Sequence, residues 1–327
     1  MSNILEGNNQ VSKLKNLDLK QFLFELKNVS IEYQEILNIS KETTFGIEIE
    51  FVEANFEDIN KNLIENWRLK NDPSVSSIIG KKKVGGEINS PILKDNITSW
   101  QEIKQVCEML KENNASISPK CGGHVHIGQQ DIETNIESWK NLLKLWAAYE
   151  NIIYRFSSPE QTSIREKAST FASPIRYDII TKIGAVNRKN DDRNIPFLIQ
   201  FFGHDRNQGI NFCNTDFVMK RNSKKTIEFR CPNGTLNPVV WQNNINLFYH
   251  LLKSVNNQNF DIEKVNHRIS NIDLDLTDIY FYNEIYLKES LELADLIFDN
   301  NKDKCYFLKQ YINDFKTDNS YIKYKEY

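Results

Sequence analysis

Cys121-Gly122-Gly123-His124-Val125-His126-Ile127-Gly128 decides how this chain is read, because it gathers two of the five histidines into three residues beside paired glycines. On an extended strand successive side chains point to opposite faces. His124 and His126 then share one face, and Val125 and Ile127 pack on the other. A buried strand with hydrogen-bonded histidines would alternate in the same way, so the rest of the chain has to choose between the two readings. Two other stretches are built alike. In Thr44-Phe45-Gly46-Ile47-Glu48-Ile49-Glu50-Phe51 the apolar residues Phe45, Ile47, Ile49 and Phe51 alternate with a polar face carrying Glu48 and Glu50. In Thr226-Ile227-Glu228-Phe229-Arg230-Cys231 the same rule sets Ile227, Phe229 and Cys231 against Glu228 and Arg230. Placed in one sheet, the three strands present a wall of Glu, Glu, His, His, Glu and Arg, a composition suited to divalent metal and phosphate.

The chain has 327 residues, enough for a substantial core in one main domain. Lys plus Arg is 41 and Asp plus Glu is 44, a net charge of −3, which gives no global field to hold nucleic acid or an anionic membrane. The five cysteines are far apart with no Cys-x-x-Cys, so they read as reduced thiols and not as a disulfide framework or zinc knuckle. Neither an export signal nor a membrane-length apolar run is found, so a cytoplasmic location is expected.

In chain order, residues 1–42 read as a helical N-terminal extension, with apolar positions at helical spacing from Leu14 to Leu37. Residues 43–255 read as the catalytic domain, and 256–327 as a C-terminal helical segment packed on it. A strand over 43–52 and a helix over 56–67 lead to the turn Asn71-Asp72-Pro73-Ser74. The Gly-flanked lysines Lys81, Lys82 and Lys83 sit between two short extended pieces; they read as a solvated hairpin tip or, through Lys82, as a phosphate contact. Gly86-Glu87-Ile88-Asn89 adds Glu87 and Asn89 on one face. A helix over 99–113 starts with Ser99 and Glu102 in capping-box spacing. Another helix covers 134–156, and residues 157–200, with Arg165, Lys167, Arg176, Arg188 and Arg193, read either as a helical or lid-like region with its cations near an anionic ligand or as a solvated loop. Strands over 208–212 and 226–231 pair antiparallel, and an amphipathic helix follows over 238–255. Further helices are expected near 283–299 and 302–315.

These stretches, in this order, resemble the amidoligase family of the glutamine synthetase and glutamate-cysteine ligase superfamily. The resemblance rests on Phe45–Glu50, the Asp72-Pro73-Ser74 turn, Gly86–Pro91, Cys121–Gly128, Ile210-Asn211 and Thr226–Arg230. It implies an α+β fold, an antiparallel sheet backed by helices whose concave face binds ATP with Mg²⁺, or Mn²⁺ in its place. The implied reaction is ATP-dependent amide formation from a carboxylate and an amine. Glu48, Glu50, Glu87, Glu228 and His124 are then the expected metal ligands. Arg230, Lys82, Asn211 and His124 are the expected nucleotide contacts, and Arg230, Glu50 and His126 the catalytic groups. Asp72 is a further candidate for amine or metal contact. The chain departs from the family pattern where Lys81-Lys82-Lys83 interrupts the glycine loop before Glu87. The implied partner is an amino acid, peptide or protein carrying the reacting groups, with no nucleic acid and no membrane; related ligases are often homo-oligomers.

Two other functions fit parts of the sequence. His-x-His at a strand end also holds zinc in amidohydrolases, which need further histidine and aspartate ligands; here these would come from His204, His250 or His267. A catalytically silent nucleotide-binding protein would use the N-terminal helix as its interaction surface.

Overall fold

Strict alternation from Phe45 gives the first strand one apolar and one polar face. The computed structural model describes residues 26, 28–132, 134–159, 164–188, 190–203, 205–218, 223–274, 282 and 285–312. Strand β1 (Phe45–Asn55) is followed by α1 (Phe56–Asn62), β2 (Arg68–Lys70), β3 (Ser77–Ile79), β4 (Lys82–Asn89), α2 (Ile97–Glu112), β5 (Gly123–Gly128) and α3 (Ile136–Phe156). A run of short helices, α4 (Ala168–Phe171), α5 (Arg176–Thr181), α6 (Ile183–Asn187) and α7 (Ile195–Phe202), leads to β6 (Ile210–Asn211) and β7 (Thr226–Phe229). Helices α8 (Pro238–Val255), α9 (Ile262–Ser270), α10 (Leu287–Ile297) and α11 (Asn301–Tyr311) follow. The strands form one open sheet in the order β2-β4-β1-β5-β7-β6, with β3 paired to β4, and every pairing among the described residues is antiparallel. The fold is thus mixed α/β, an open antiparallel sheet with helices.

One face of the sheet is apolar throughout and is covered by α2, α3 and α8. Phe229 stacks on Phe248 of α8 with ring centroids 4.1 Å apart, and Trp146 of α3 lies 5.9 Å from the same ring. Phe45 stacks on Trp100 of α2 at 5.0 Å. Rings of this size each remove a large apolar area from water, so these contacts fix which face is inside. Asn237 caps α8 by accepting from the Val239 N–H, with proline in the first turn as expected. Helices α10 and α11 join the same hydrophobic core.

Three local expectations change. The helix expected over 14–37 lies outside the described residues up to Lys27, Leu26 excepted, and residues 28–40 are not helical. Their backbone N–H groups are taken by side chains instead: Gln34 donates to Gln242 Oε1 at 2.8 Å, and Leu37 and Ile39 donate to the Asp95 carboxylate at 2.9 and 3.0 Å. The Ser99/Glu102 capping box is replaced by Asn96, whose side chain accepts from Ser99 N at 2.9 Å, so the helix starts a turn earlier. Glu102 instead accepts the Trp67 indole N–H at 3.0 Å. Helix α1 stops at Asn62 because Leu63 turns extended, and Asn66 then takes a positive φ of 69°.

Glu150 on α3 is completely buried, and burial pushes its carboxyl above the usual range against the opposing charge of Arg176. Both oxygens are matched: the Trp146 indole and Ile175 N donate to one at 2.7 Å each, and Arg176 N and Tyr282 Oη donate to the other at 3.0 and 2.9 Å. This carboxylate pins the start of α5 to α3.

Two stability predictions arise here. Gly85 has φ +75°, and a Cβ on it would stand 2.6 Å from the Val75 carbonyl oxygen. Gly85→Ala is therefore expected to cost about 2–3 kcal/mol, read as a lower denaturation midpoint. The second concerns His250 on α8, whose imidazole is pushed down to about 4 by burial, against the pull of Asp303 at 3.7 Å. Between the ordinary value near 6.5 and about 4 the unfolded chain takes up a proton that the folded chain refuses. Stability is then complete above that window and is lost as pH falls through it, by at most about 3 kcal/mol. His250→Gln should flatten this part of the stability profile, measured by urea titrations at several pH values.

Candidate active site

The polar face of the sheet gathers the charged residues by register. Glu50 stands opposite Glu87, and Glu48 lies between Asn89 on β4 and His124 on β5. His126 is opposite Glu228, and Glu228 is opposite Asn211 on the edge strand β6. A cavity of about 450 Å³ opens over this face, lined among others by Glu48, Glu50, Glu87, His124, Asn211, Glu228 and Arg230.

Within it the carboxylates and imidazoles are tightly interlocked. His124 Nδ1 is 2.8 Å from Glu48 Oε2, and His126 Nε2 is 3.2 Å from Glu48 Oε1. A carboxylate only accepts, so both imidazoles donate to Glu48. Burial alone would raise the Glu48 carboxyl, but the hydrogen bonds from His124 and His126, with their charge when the rings are protonated, hold it well below the usual range. Glu228 is also lowered: burial is outweighed by His126, His124 and Arg230. Arg230 Nη1 donates to Glu228 Oε1 at 2.5 Å, while Asn211 and Asn214 donate to Oε2 at 2.7 and 3.1 Å. Glu87 goes the other way, raised first by burial and then by the charge of Glu48, although Lys70 lies 3.6 Å away. Glu50 accepts from Gly122 N at 2.6 Å.

Two groups of side chains have their ligand atoms within 4.8 Å of one another: Glu48, His124 and Glu228, and Glu50, Glu87 and His124. Both use His124, yet a neutral imidazole has one lone pair. With Nδ1–H given to Glu48, Nε2 is the atom left to coordinate; it is buried, has no hydrogen-bond partner and lies 3.7 Å from Glu50 Oε1. The Glu50, Glu87 and His124 group is therefore the better organised for a cation. Its oxygen-rich donor set fits a hard divalent ion such as Mg²⁺ or Mn²⁺.

Of the residues singled out from sequence, His126 is absent from the cavity lining and acts behind it, holding Glu48 and meeting Thr226 Oγ1 at 3.3 Å. Lys82 is not brought to the site. It begins β4 at the exposed β3–β4 hairpin, where it pairs with Ile79. Asp72 does line the cavity. Of the cations in 157–200, Arg165 lines it, whereas Arg176 is buried with its Nε on Ala147 O and Nη2 on Asn151 Oδ1. Lys70, Lys120, Arg206 and Asn214 also line the cavity and were not anticipated. Lys70 faces Glu87 only through strand register, which the sequence does not give, and the others come from loops with no periodicity. His250 and His267 lie on α8 and α9 and do not line the cavity, and His204 is outside the described residues.

An open antiparallel sheet thus presents carboxylates, an imidazole with an unpartnered buried nitrogen and a guanidinium on one face, around one cavity. A family model described as "Putative amidoligase enzyme" matches residues 58–252, and the chain belongs to that family, which carries the ligase class with it. No curated protein matches the chain. No helix among the described residues is long and apolar enough to cross a membrane.

Proposed function

We propose that this chain is an ATP-dependent carboxylate–amine ligase with a glutamine synthetase-like fold, forming an amide through an acyl phosphate with release of ADP and phosphate. The observation that carries the reading is the single polar sheet face on which Glu50, Glu87 and the free nitrogen of His124 converge beside the Arg230–Glu228 pair. A divalent cation bound there would supply positive charge to offset that of the nucleotide phosphates. Glu50, Glu87 and His124 would hold it, while Glu48, fixed by two imidazoles, and Glu228, fixed by two asparagines, form the adjoining carboxylate wall.

In the first half-reaction a substrate carboxylate oxygen attacks the γ-phosphorus and ADP leaves. Arg230 would meet the charge on the phosphoryl group in flight with its planar guanidinium. In the second, the amine nitrogen attacks the acyl carbon and loses its proton, and phosphate leaves. The cavity carboxylates are within reach as proton acceptors, Glu50 first among them because it also faces His124. Burial of the reacting groups slows hydrolysis of the acyl phosphate.

The test is incubation with Mg-ATP, mixed carboxylic and amino acids, and hydroxylamine, read by mass spectrometry. Hydroxamate with ADP is the expected result. AMP in place of ADP would replace the acyl phosphate by an adenylate. Stoichiometric zinc with ATP-independent amide hydrolysis would overturn the reading in favour of a hydrolase; the carboxylate-rich donor set speaks against that outcome.

A further inference from the structure

Arg165 enters the cavity from the loop that follows α3, and its residue is 5% exposed. It lies across the bare backbone of Gly122: a Cβ there would stand 1.6 Å from Arg165 Nη1. The missing side chain of that glycine, next to the His-x-His strand, is what admits the guanidinium. Its polar contacts are few. Nη2 donates to the Arg230 carbonyl oxygen at 3.1 Å, and the backbone N–H donates to Asn233 Oδ1 at 3.2 Å. Nε is buried without a hydrogen-bond partner. Among the described residues no carboxylate oxygen comes within 4.0 Å of the guanidinium.

This is a poor way to bury a positive charge. Two other buried cations are paired with carboxylates: Lys304 meets Asp295 at 2.9 Å and Lys140 meets Glu137 at 2.7 Å. Desolvating an ion without a counter-charge is strongly unfavourable. Burial lowers the Arg165 pKa, Glu50 opposes that effect from a distance, and the neighbouring Arg230 adds to it. An arrangement of this kind is satisfied when a ligand brings the negative charge, and a guanidinium suits a paired-oxygen ligand.

We infer that Arg165 is an oxyanion-binding residue of the cavity, its guanidinium taking two oxygens of a phosphate or carboxylate group at a position beside Arg230 and distinct from it. The inference rests on the ligase reading only for the source of that oxyanion, either the transferred phosphoryl group or a carboxylate of the substrate. The binding itself requires no turnover.

The experiment titrates the metal-free full-length protein separately with inorganic phosphate and with succinate, following heat of binding and melting temperature. One of the two anions is expected to bind and to raise the melting temperature. Arg165→Met should weaken that binding by about tenfold or more, while the melting temperature without anion stays level or rises because an unmatched buried charge has gone. Arg165→Lys keeps the charge but loses the planar fork, and should bind with intermediate affinity. Dependence seen with phosphate assigns Arg165 to the phosphoryl end; dependence seen with succinate assigns it to the substrate end. The inference is overturned if neither anion binds the parent, or if the variants bind as the parent does. It is also overturned if Arg165→Met melts lower yet binds anion normally, which would mark a structural residue. Should Arg165→Met not fold, the Arg165→Lys titration decides. Arg165-dependent binding without hydroxamate formation would sink the ligase reading alone, and hydroxamate formation with no effect at Arg165 would sink this inference alone.

Discussion

Replacing Arg230 by lysine is expected to lower ligase turnover by about a hundredfold to ten-thousandfold, with a melting temperature close to that of the parent. The guanidinium is held through two of its nitrogens, Nη1 to Glu228 Oε1 at 2.5 Å, with His124 Nδ1 at 3.5 Å, and Nε to the Phe171 carbonyl oxygen at 3.0 Å. Its plane is therefore fixed before substrate arrives, which is the condition for stabilising charge that exists only in the transition state. A lysine ammonium can keep the pairing with Glu228 but has no second nitrogen to hold its direction. The loss should fall on kcat more than on KM for ATP. Steady-state kinetics with the acid found in the hydroxamate assay checks this, and a near-parental kcat would remove Arg230 from the chemistry.

The second large effect is expected from Glu50→Gln. The glutamine carbonyl can still accept from Gly122 N, so the backbone contact survives. Its amide can donate to His124 Nε2, which lacks a hydrogen-bond partner. One negative charge also leaves a face crowded with Glu48, Glu87 and Glu228. The metal-free variant should consequently be as stable as the parent or more so. Its affinity for Mn²⁺ should fall by about a hundredfold, because a charged oxygen ligand and the free imidazole nitrogen are lost together. Thermal melts with and without Mn²⁺ give both quantities from one preparation. A metal-induced rise equal to the parent's would move the cation away from Glu50.

Much of this was legible in the sequence because a strand has the simplest of periods. The alternation around Glu48 and Glu50, His124 and His126, and Glu228 and Arg230 tells which side chains share a face, and the apolar partners tell which face is buried. Register is not written in that pattern. That Glu48 meets His124 across one gap and Asn89 across the other depends on β1 lying between β4 and β5. Lys82 misled because glycines flanking lysines look alike in a phosphate loop and in a hairpin; the difference is that β3 and β4 pair directly across the turn. Arg165 could be named only as one cation among several, since its position depends on the absent side chain of Gly122, 43 positions earlier in the chain. The capping error at Ser99 has a smaller cause, two competent caps three residues apart.

The strand order also governs when this chain can first do anything. Neighbours in the sheet come from residues 45–55, 82–89, 123–128 and 226–229, so the pocket is stitched from segments made at widely separated times during synthesis. A nascent chain that has emerged as far as β5 already carries Glu48, Glu50, Glu87 and His124, while α3 and α8, which cover the apolar face of the sheet, are still to be made. Glu228 and Arg230 follow about a hundred residues later, at the usual rate of translation some seconds to tens of seconds afterwards. A half-made chain therefore carries one side of the cavity without the other, and the site is closed only when β7 has been made and paired with β5.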